Sequence, residues 1–255
     1  MAIEWMMHDL LYKTTRRLLK LQRHPIRVFC FHKVSDSYQP EYGGAGDWTQ
    51  TEQFKQNILS LRKRYTFISL EEAYNHLSHD IFRCRNYAVL TSDDGYQCLL
   101  NILPWLEEQH IPITLFISAR YLDGKSYDPW FDAHWGNTTA EQKSYYLKSM
   151  YIHEPQLQLP ALCSENISLA LHGYGHDDVS KMSTDEFKNY VQISLNEIVY
   201  HPRYKPFYAY TWGRHSCYTD NVLRKMQIIP VYCEGKDNVV FDGAIHRECI
   251  DGMEL

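Results

Sequence analysis

Tyr87-Ala-Val-Leu-Thr-Ser-Asp-Asp-Gly-Tyr96 runs from an apolar segment into two adjacent carboxylates and a glycine. Tyr87 to Leu90 reads as a short buried strand, and Gly95 permits the sharp exit such a strand needs. Asp93 and Asp94 then stand where that strand ends. Ile167-Ser-Leu-Ala-Leu-His-Gly-Tyr-Gly-His176 has the same plan with imidazoles, because Gly173 and Gly175 argue against a helix from His172 to His176. Strands of this kind alternating with helices imply a parallel sheet. Since His32, Asp93, Asp94 and His172 all fall at strand C-terminal ends, an α/β barrel with its site on the top face fits better than an open, doubly wound sheet.

Two neighbouring carboxylates can divide labour, one holding a metal and one moving a proton. Alone, Asp-Asp-Gly is an ordinary turn sequence, and His-x-x-x-His away from a helix is a weak signal. Their conjunction at two strand ends is what points to a site. One carboxylate and two imidazoles with open positions suit one divalent transition metal, Zn2+ first, with Co2+ or Ni2+ as alternatives. Such an ion polarises a carbonyl and acidifies bound water, which is hydrolytic chemistry.

Composition narrows the class. The 255 residues with 44% hydrophobic content can bury a full core, and no repeat or Pro/Gly linker divides them, so one domain over 1–255 is expected. A net charge of −5 argues against nucleic acid as a partner. The seven cysteines are scattered and contain no C-x-x-C, so neither a disulfide framework nor a thiolate metal site is indicated, and a reducing, cytoplasmic setting is expected. No stretch approaches the roughly 20 apolar residues of a membrane span. At about 1–24, Trp5, Leu10, Leu11, Leu18 and Leu19 interleave with Lys13, Arg16, Arg17 and Lys20 as an amphipathic basic helix. It reads either as a helix packed on the domain or as a peripheral contact with an anionic membrane surface. Nothing in the pattern specifies an oligomeric state.

Other elements follow from periodicity. Strands are expected at Ile26 to Phe31, Tyr65 to Ile68, Ile113 to Ile117, Phe207 to Tyr210, Ile228 to Tyr232 and Val239 to Phe241. Ser69-Leu-Glu-Glu72 and Ser183-Thr-Asp-Glu186 are capping boxes that open helices. A helix carrying Leu99, Leu103 and Leu106 should be bent by Pro104, or be locally irregular there. His76 and His79 read as exposed, with no acid beside them to complete a second metal site.

These residues resemble the polysaccharide deacetylases, the NodB-homology group of carbohydrate esterase family 4. Thr91-Ser-Asp-Asp-Gly-Tyr96 is similar to their T-F-D-D-G, His172-Gly-Tyr-Gly-His176 to H-[ST]-x-x-H, and Phe207-Tyr-Ala-Tyr-Thr-Trp-Gly213 to F-A-Y-P-Y-G. Val28-Phe-Cys-Phe-His-Lys-Val34 resembles the N-terminal motif of a circularly permuted branch that includes poly-N-acetylglucosamine deacetylases. The resemblance implies a distorted (β/α)7, NodB-like barrel, with Asp94, His172 and His176 as metal ligands, Asp93 as general base and His32 as catalytic acid. It implies an oxyanion site around Tyr210 and Trp212, and Trp130-Phe-Asp is similar to a W-x-D segment of some relatives with a structural task; from the aromatic run itself, Trp130 or Trp135 is a candidate sugar platform, against core or lid packing. Three positions depart from the family pattern: Ser92 for Phe, Thr211 for Pro, and Gly173 for a Ser or Thr whose hydroxyl steadies the histidine loop. For the arginine that the family pairs with its catalytic aspartate, Arg247 is the candidate, against the plainer reading of a surface salt bridge.

The implied activity is metal-dependent removal of N-acetyl groups from an amino sugar or glycan, with release of acetate. Two other readings stand beside it: a glycan-binding or accessory protein that kept the barrel without turnover, and an amidohydrolase of a small non-sugar amide or cyclic ureide.

Overall fold

The computed structural model describes residues 24–37, 47–80, 83, 85–128, 131, 136 and 138–254. The expected N-terminal basic helix and both Trp130 and Trp135 lie outside the described residues. The strands are β1 (Ile26–Phe31), β2 (Lys33–Ser35), β3 (Trp48–Gln50), β4 (Thr66–Phe67), β5 (Tyr87–Ser92), β6 (Ile113–Ile117), β7 (Ile167–Leu171), β8 (Tyr204–Ala209), β9 (Ile229–Tyr232), β10 (Ile245–His246) and β11 (Glu248–Cys249). The helices are α1 (Thr51–Arg62), α2 (Leu70–His79), α3 (Leu103–Glu108), α4 (Ala140–Met150), α5 (Pro160–Cys163), α6 (Thr184–Ile198) and α7 (Cys217–Lys225). Among the described residues no helix is long and apolar enough to cross a membrane.

The main sheet is parallel and runs β10-β9-β8-β7-β6-β5-β1-β11, with β4 added against β5. Its two edge strands, β10 and β11, are separated in sequence by Arg247 alone. One short segment therefore pairs with both sheet ends and brings them together as a nearly closed α/β barrel. Asn238 stitches the same seam: its side chain donates to the carbonyls of Ile26 and His246 and accepts from the His246 N–H.

Strand parity sorts the side chains into two layers, as the period of two demands. Phe29, Phe31, Leu90, Ile113, Leu115, Leu169, Leu171 and Tyr208 pack with the surrounding helices. Val28, Val89, Phe116, Ala170, Phe207, Ala209, Val231 and Ile245 form a second cluster that fills the barrel.

Both expected capping boxes are present, Ser69 with Glu72 and Ser183 with Glu186. Pro104 lies in the first turn of α3, after a 3-10 turn at Gln97–Asn101, where its missing N–H costs nothing. The strand expected at Val239 to Phe241 does not form. That apolar run instead docks Phe241 edge-on against Tyr74 of α2 at 5.0 Å, with its N–H bonded to the Leu77 carbonyl. The closing strands come just after it. His76 is part-buried rather than exposed: it stacks on Tyr87 at 4.9 Å and pairs with Asp80.

Candidate active site

The barrel aligns the C-terminal ends of β1, β5 and β7, and the candidate residues follow directly. The Asp93 N–H continues the ladder from β5 to the Phe31 carbonyl, after which Asp94 (φ 68°) and Gly95 (φ 73°) turn the chain through two consecutive left-handed residues. An aspartate tolerates that region better than most side chains. At Gly95 an added Cβ would also stand 2.8 Å from Ile117 Cδ1. His172 extends β7, its N–H bonded to the Ile117 carbonyl, and His176 takes φ 61° on the following loop.

Asp94 Oδ1 lies 3.3 Å from His172 Nε2 and 3.2 Å from His176 Nε2, yet it is buried without a hydrogen-bond partner. N–H bonds on those two nitrogens would not point at it. The other ring nitrogens explain why: His172 Nδ1 is 2.9 Å from the Ala209 carbonyl and His176 Nδ1 is 2.8 Å from Asp128 Oδ2, so each ring donates there and turns an Nε2 lone pair inward. Three electron-rich atoms facing one another without protons repel unless a cation lies between them. Tetrahedral zinc, with bonds of roughly 2.0–2.2 Å to N and O, separates such donors by roughly 3.3–3.6 Å, close to the two carboxylate–imidazole distances of 3.3 and 3.2 Å. Asp94, His172 and His176 thus fit a divalent metal, with Asp128 and the Ala209 carbonyl fixing the rings.

Asp93 faces a different partner. Arg247 grips both of its oxygens, Nη1 to Oδ1 at 2.7 Å and Nη2 to Oδ2 at 2.8 Å, and also reaches Thr91 at 3.1 Å. Its guanidinium lies 4.9 Å over the Phe116 ring and is 1% exposed. Arg247 is a buried clamp, not a surface ion pair. Burial would raise the Asp93 carboxyl, but the field of Arg247, then that of His172, and the Arg247 hydrogen bonds lower it to about 2.

His32, just beyond β1, is held by Asp251: its backbone N–H reaches Oδ1 at 2.9 Å and its Nδ1 reaches Oδ2 at 2.6 Å. Burial favours the neutral ring. Hydrogen bonds to Asp251 and Cys249 and the fields of Asp94 and Asp251 outweigh it and carry the pKa well above the ordinary value. The raised pKa favours the protonated ring.

These groups share a cavity of about 380 Å³ whose lining includes His32, Asp93, Asp94, His172, His176 and Trp212. Trp212 (φ 58°, 56% exposed) stands at the rim with its ring 4.7 Å from that of His176. Tyr210 also lines the cavity, but its hydroxyl donates to Asp220 at 2.9 Å and its N–H points to the Val231 carbonyl at 3.4 Å. Of the Tyr210 to Trp212 turn, Thr211 and Trp212 are then the N–H donors to consider for an oxyanion. Trp130 lies outside the described residues.

The structure thus brings His32, Asp93, Asp94, His172, His176, Tyr210 and Trp212 to one cavity. Sequence reasoning missed Asp128, Asp251 and Tyr190. The Tyr190 hydroxyl accepts from the N–H groups of Gly175 (2.8 Å) and Asp177 (3.3 Å), and it stands 2.9 Å from where a Cβ on Gly173 would be. It fills the space opened by that glycine and steadies the histidine loop from α6.

A family profile described as polysaccharide deacetylase matches residues 83–231. No curated protein matches the chain. Among solved structures, IcaB from Ammonifex degensii is similar with a TM-score of 0.66 and 18% identity over 91% of this chain and 94% of that one. The Streptococcus pyogenes deacetylase PplD, in complex with acetate, gives 0.65 and 16% over 89% and 93%. A de-N-acetylase from Aggregatibacter actinomycetemcomitans gives 0.64 and 15% over 89% and 95%.

Proposed function

This chain belongs to the polysaccharide deacetylase family, and we propose that it is a metal-dependent hydrolase that removes N-acetyl groups from an amino sugar within a glycan, releasing acetate. The observation that carries this reading is the convergence of Asp94 Oδ1 and two inward-facing imidazole nitrogens beside Asp93, gripped by Arg247, and His32, pinned by Asp251. A base, an acid and a cation-binding triad in one cavity are the complement for amide hydrolysis. The similar structures named as a deacetylase and a de-N-acetylase agree with it.

A divalent cation held by Asp94, His172 and His176, zinc first among the candidates, would supply Lewis acidity toward the acetamide carbonyl and acidify water. Asp93 stays ionised across the working pH range, and each of its oxygens keeps a lone pair beyond the one Arg247 uses. It accepts the proton of the attacking water. Backbone N–H groups of Thr211 and Trp212 would steady the charge that develops on the carbonyl oxygen. The protonated His32 ring, pinned through Nδ1 by Asp251, donates from its other nitrogen to the departing amine. An amine leaves poorly without that proton. Trp212 offers a flat apolar face at the rim for a sugar ring.

The test is acetate release from N-acetylglucosamine oligomers by metal-replete protein, with metal analysis of protein purified without chelators. Saturable release is expected, with one ion per chain, lost on chelation and lowered about 10²–10⁴-fold in Asp93→Asn. Absence of release from any acetylated sugar, with the ion present, would sink the reading.

A further inference from the structure

Lys33 lines the cavity, and the proposed reaction gives it no part. It follows His32 directly and opens β2, whose pairing with β3 sets it opposite Trp48 and so beside Asp47. The residue is 6% exposed. Its ammonium stands 4.7 Å over the ring of Tyr96, which stacks in turn on Tyr151, and both rings line the same cavity. An aromatic face attracts a cation yet offers no lone pair to its three N–H bonds.

The carboxylate that pairs with Lys33 among the described residues, Asp47, stands off at 4.0 Å, beyond hydrogen-bond reach, with 57% of its side chain exposed. A pair so open to water contributes little, whereas a buried ammonium without an acceptor is costly. The neighbouring cations are answered in full, Arg247 by both oxygens of Asp93 and His32 by Asp251. The nearby acids are engaged as well, Asp94 facing the two imidazoles and Asp128 bound to His176. Lys33 thus keeps donors and a charge for whatever enters the cavity. A hydroxyl would meet the donors alone; an anion meets both. Asp47 holds more than half of its side chain in water, where its repulsion toward an incoming anion is screened.

We propose that Lys33 determines specificity by pairing with an anionic substituent of the sugar, a carboxylate or a phosphate, so that the cavity takes an acidic N-acetylated amino sugar in preference to a neutral one. The substrate class rests on the deacetylation proposed above, and the anion preference of the cavity stands without it.

Acetate release is compared for N-acetylglucosamine, N-acetylmuramic acid and N-acetylglucosamine 6-phosphate, in which the neutral sugar gains a lactyl carboxylate or a phosphate. At least one acidic sugar should exceed the neutral one in kcat/KM by about 10–100-fold, the yield of a hydrogen bond to a charged group, with the difference lying in KM. Which acid is preferred identifies the anion. In Lys33→Met the ratio should fall to about one, since specificity is a difference between two affinities, and Lys33→Arg should retain it. A merely structural role would lower all three sugars alike and leave the ratio standing. Lys33→Gln, which keeps a donor without the charge, replaces Lys33→Met if that variant does not fold. Equal values in the wild type, or a preference that survives loss of the charge, overturn the proposal. If no acetate is released from any of the three, deacetylation has failed, and the corresponding free amino sugars, which need no turnover, are titrated calorimetrically. Tighter binding of an acidic amino sugar that is lost in Lys33→Met upholds the anion site; equal binding, or none, overturns it.

Discussion

Asp93 carries a buried charge neutralised on both oxygens by Arg247, and the two partners differ in what their loss does. Arg247→Leu strands a carboxylate in the barrel, so unfolding in urea should show a loss of about 3–5 kcal/mol, as for other broken buried pairs. Adding Asp93→Asn should recover much of that loss, because no charge is then left unpaired. His32 has the opposite polarity. Its pKa lies above 6.5 in the folded protein, so the protonated form is complete below that pH and is lost as pH rises through the raised value. Asp93, at about 2, stays ionised throughout. Acetate release should therefore show an alkaline limb above pH 6.5, and Asp251→Asn should move that limb toward lower pH; an unmoved limb would mean that Asp251 does not set it. The same sign applies to folding, with the His32–Asp251 contribution present in neutral solution and fading under alkaline conditions.

Tyr190 shows how an element can replace a missing side chain. Gly173 has φ 86° and no room for a Cβ because the Tyr190 and Tyr208 hydroxyls occupy that space. From α6, Tyr190 accepts two loop N–H groups that lie between and just after the two cavity-facing histidines. Tyr190→Phe should weaken Zn2+ binding by about 10–100-fold in calorimetric titration. Sequence reading reached the loop and its histidines because glycines after an apolar run exclude a helix there. It did not reach Tyr190, or Asp128 and Asp251, since each acts across a separation of 15, 48 or 219 residues and carries no local pattern. The same reasoning placed a strand at Val239 to Phe241, where Phe241 docks on a helix and Val240 stays exposed. It missed β10 and β11, which are two residues long and form only because both sheet edges present unpaired backbone. It also missed α7, whose box pairs Ser216 with Thr219 rather than a Glu or Gln.

The barrel as a whole depends on that seam. Asn238 supplies three hydrogen bonds across it, so Asn238→Ala leaves two carbonyls and one N–H without their partner. Each such orphan costs about 1–3 kcal/mol, and the urea midpoint should fall sharply; a drop no larger than that of a typical surface substitution would show that the seam relaxes. The overall architecture was legible in advance because parallel strands alternate with helices. The closing device was not, since it is a property of two edges meeting. Chain order gives the seam a further meaning. A polypeptide emerging from the ribosome presents Asp93 early, while the guanidinium that neutralises it is 154 residues away and arrives only with the segment that shuts the cylinder. Until then the acid must stay hydrated and the cylinder open. The hydrolysis proposed for this cavity would thus wait on that final segment, and a chain lacking it would hold Asp93 without its counter-charge.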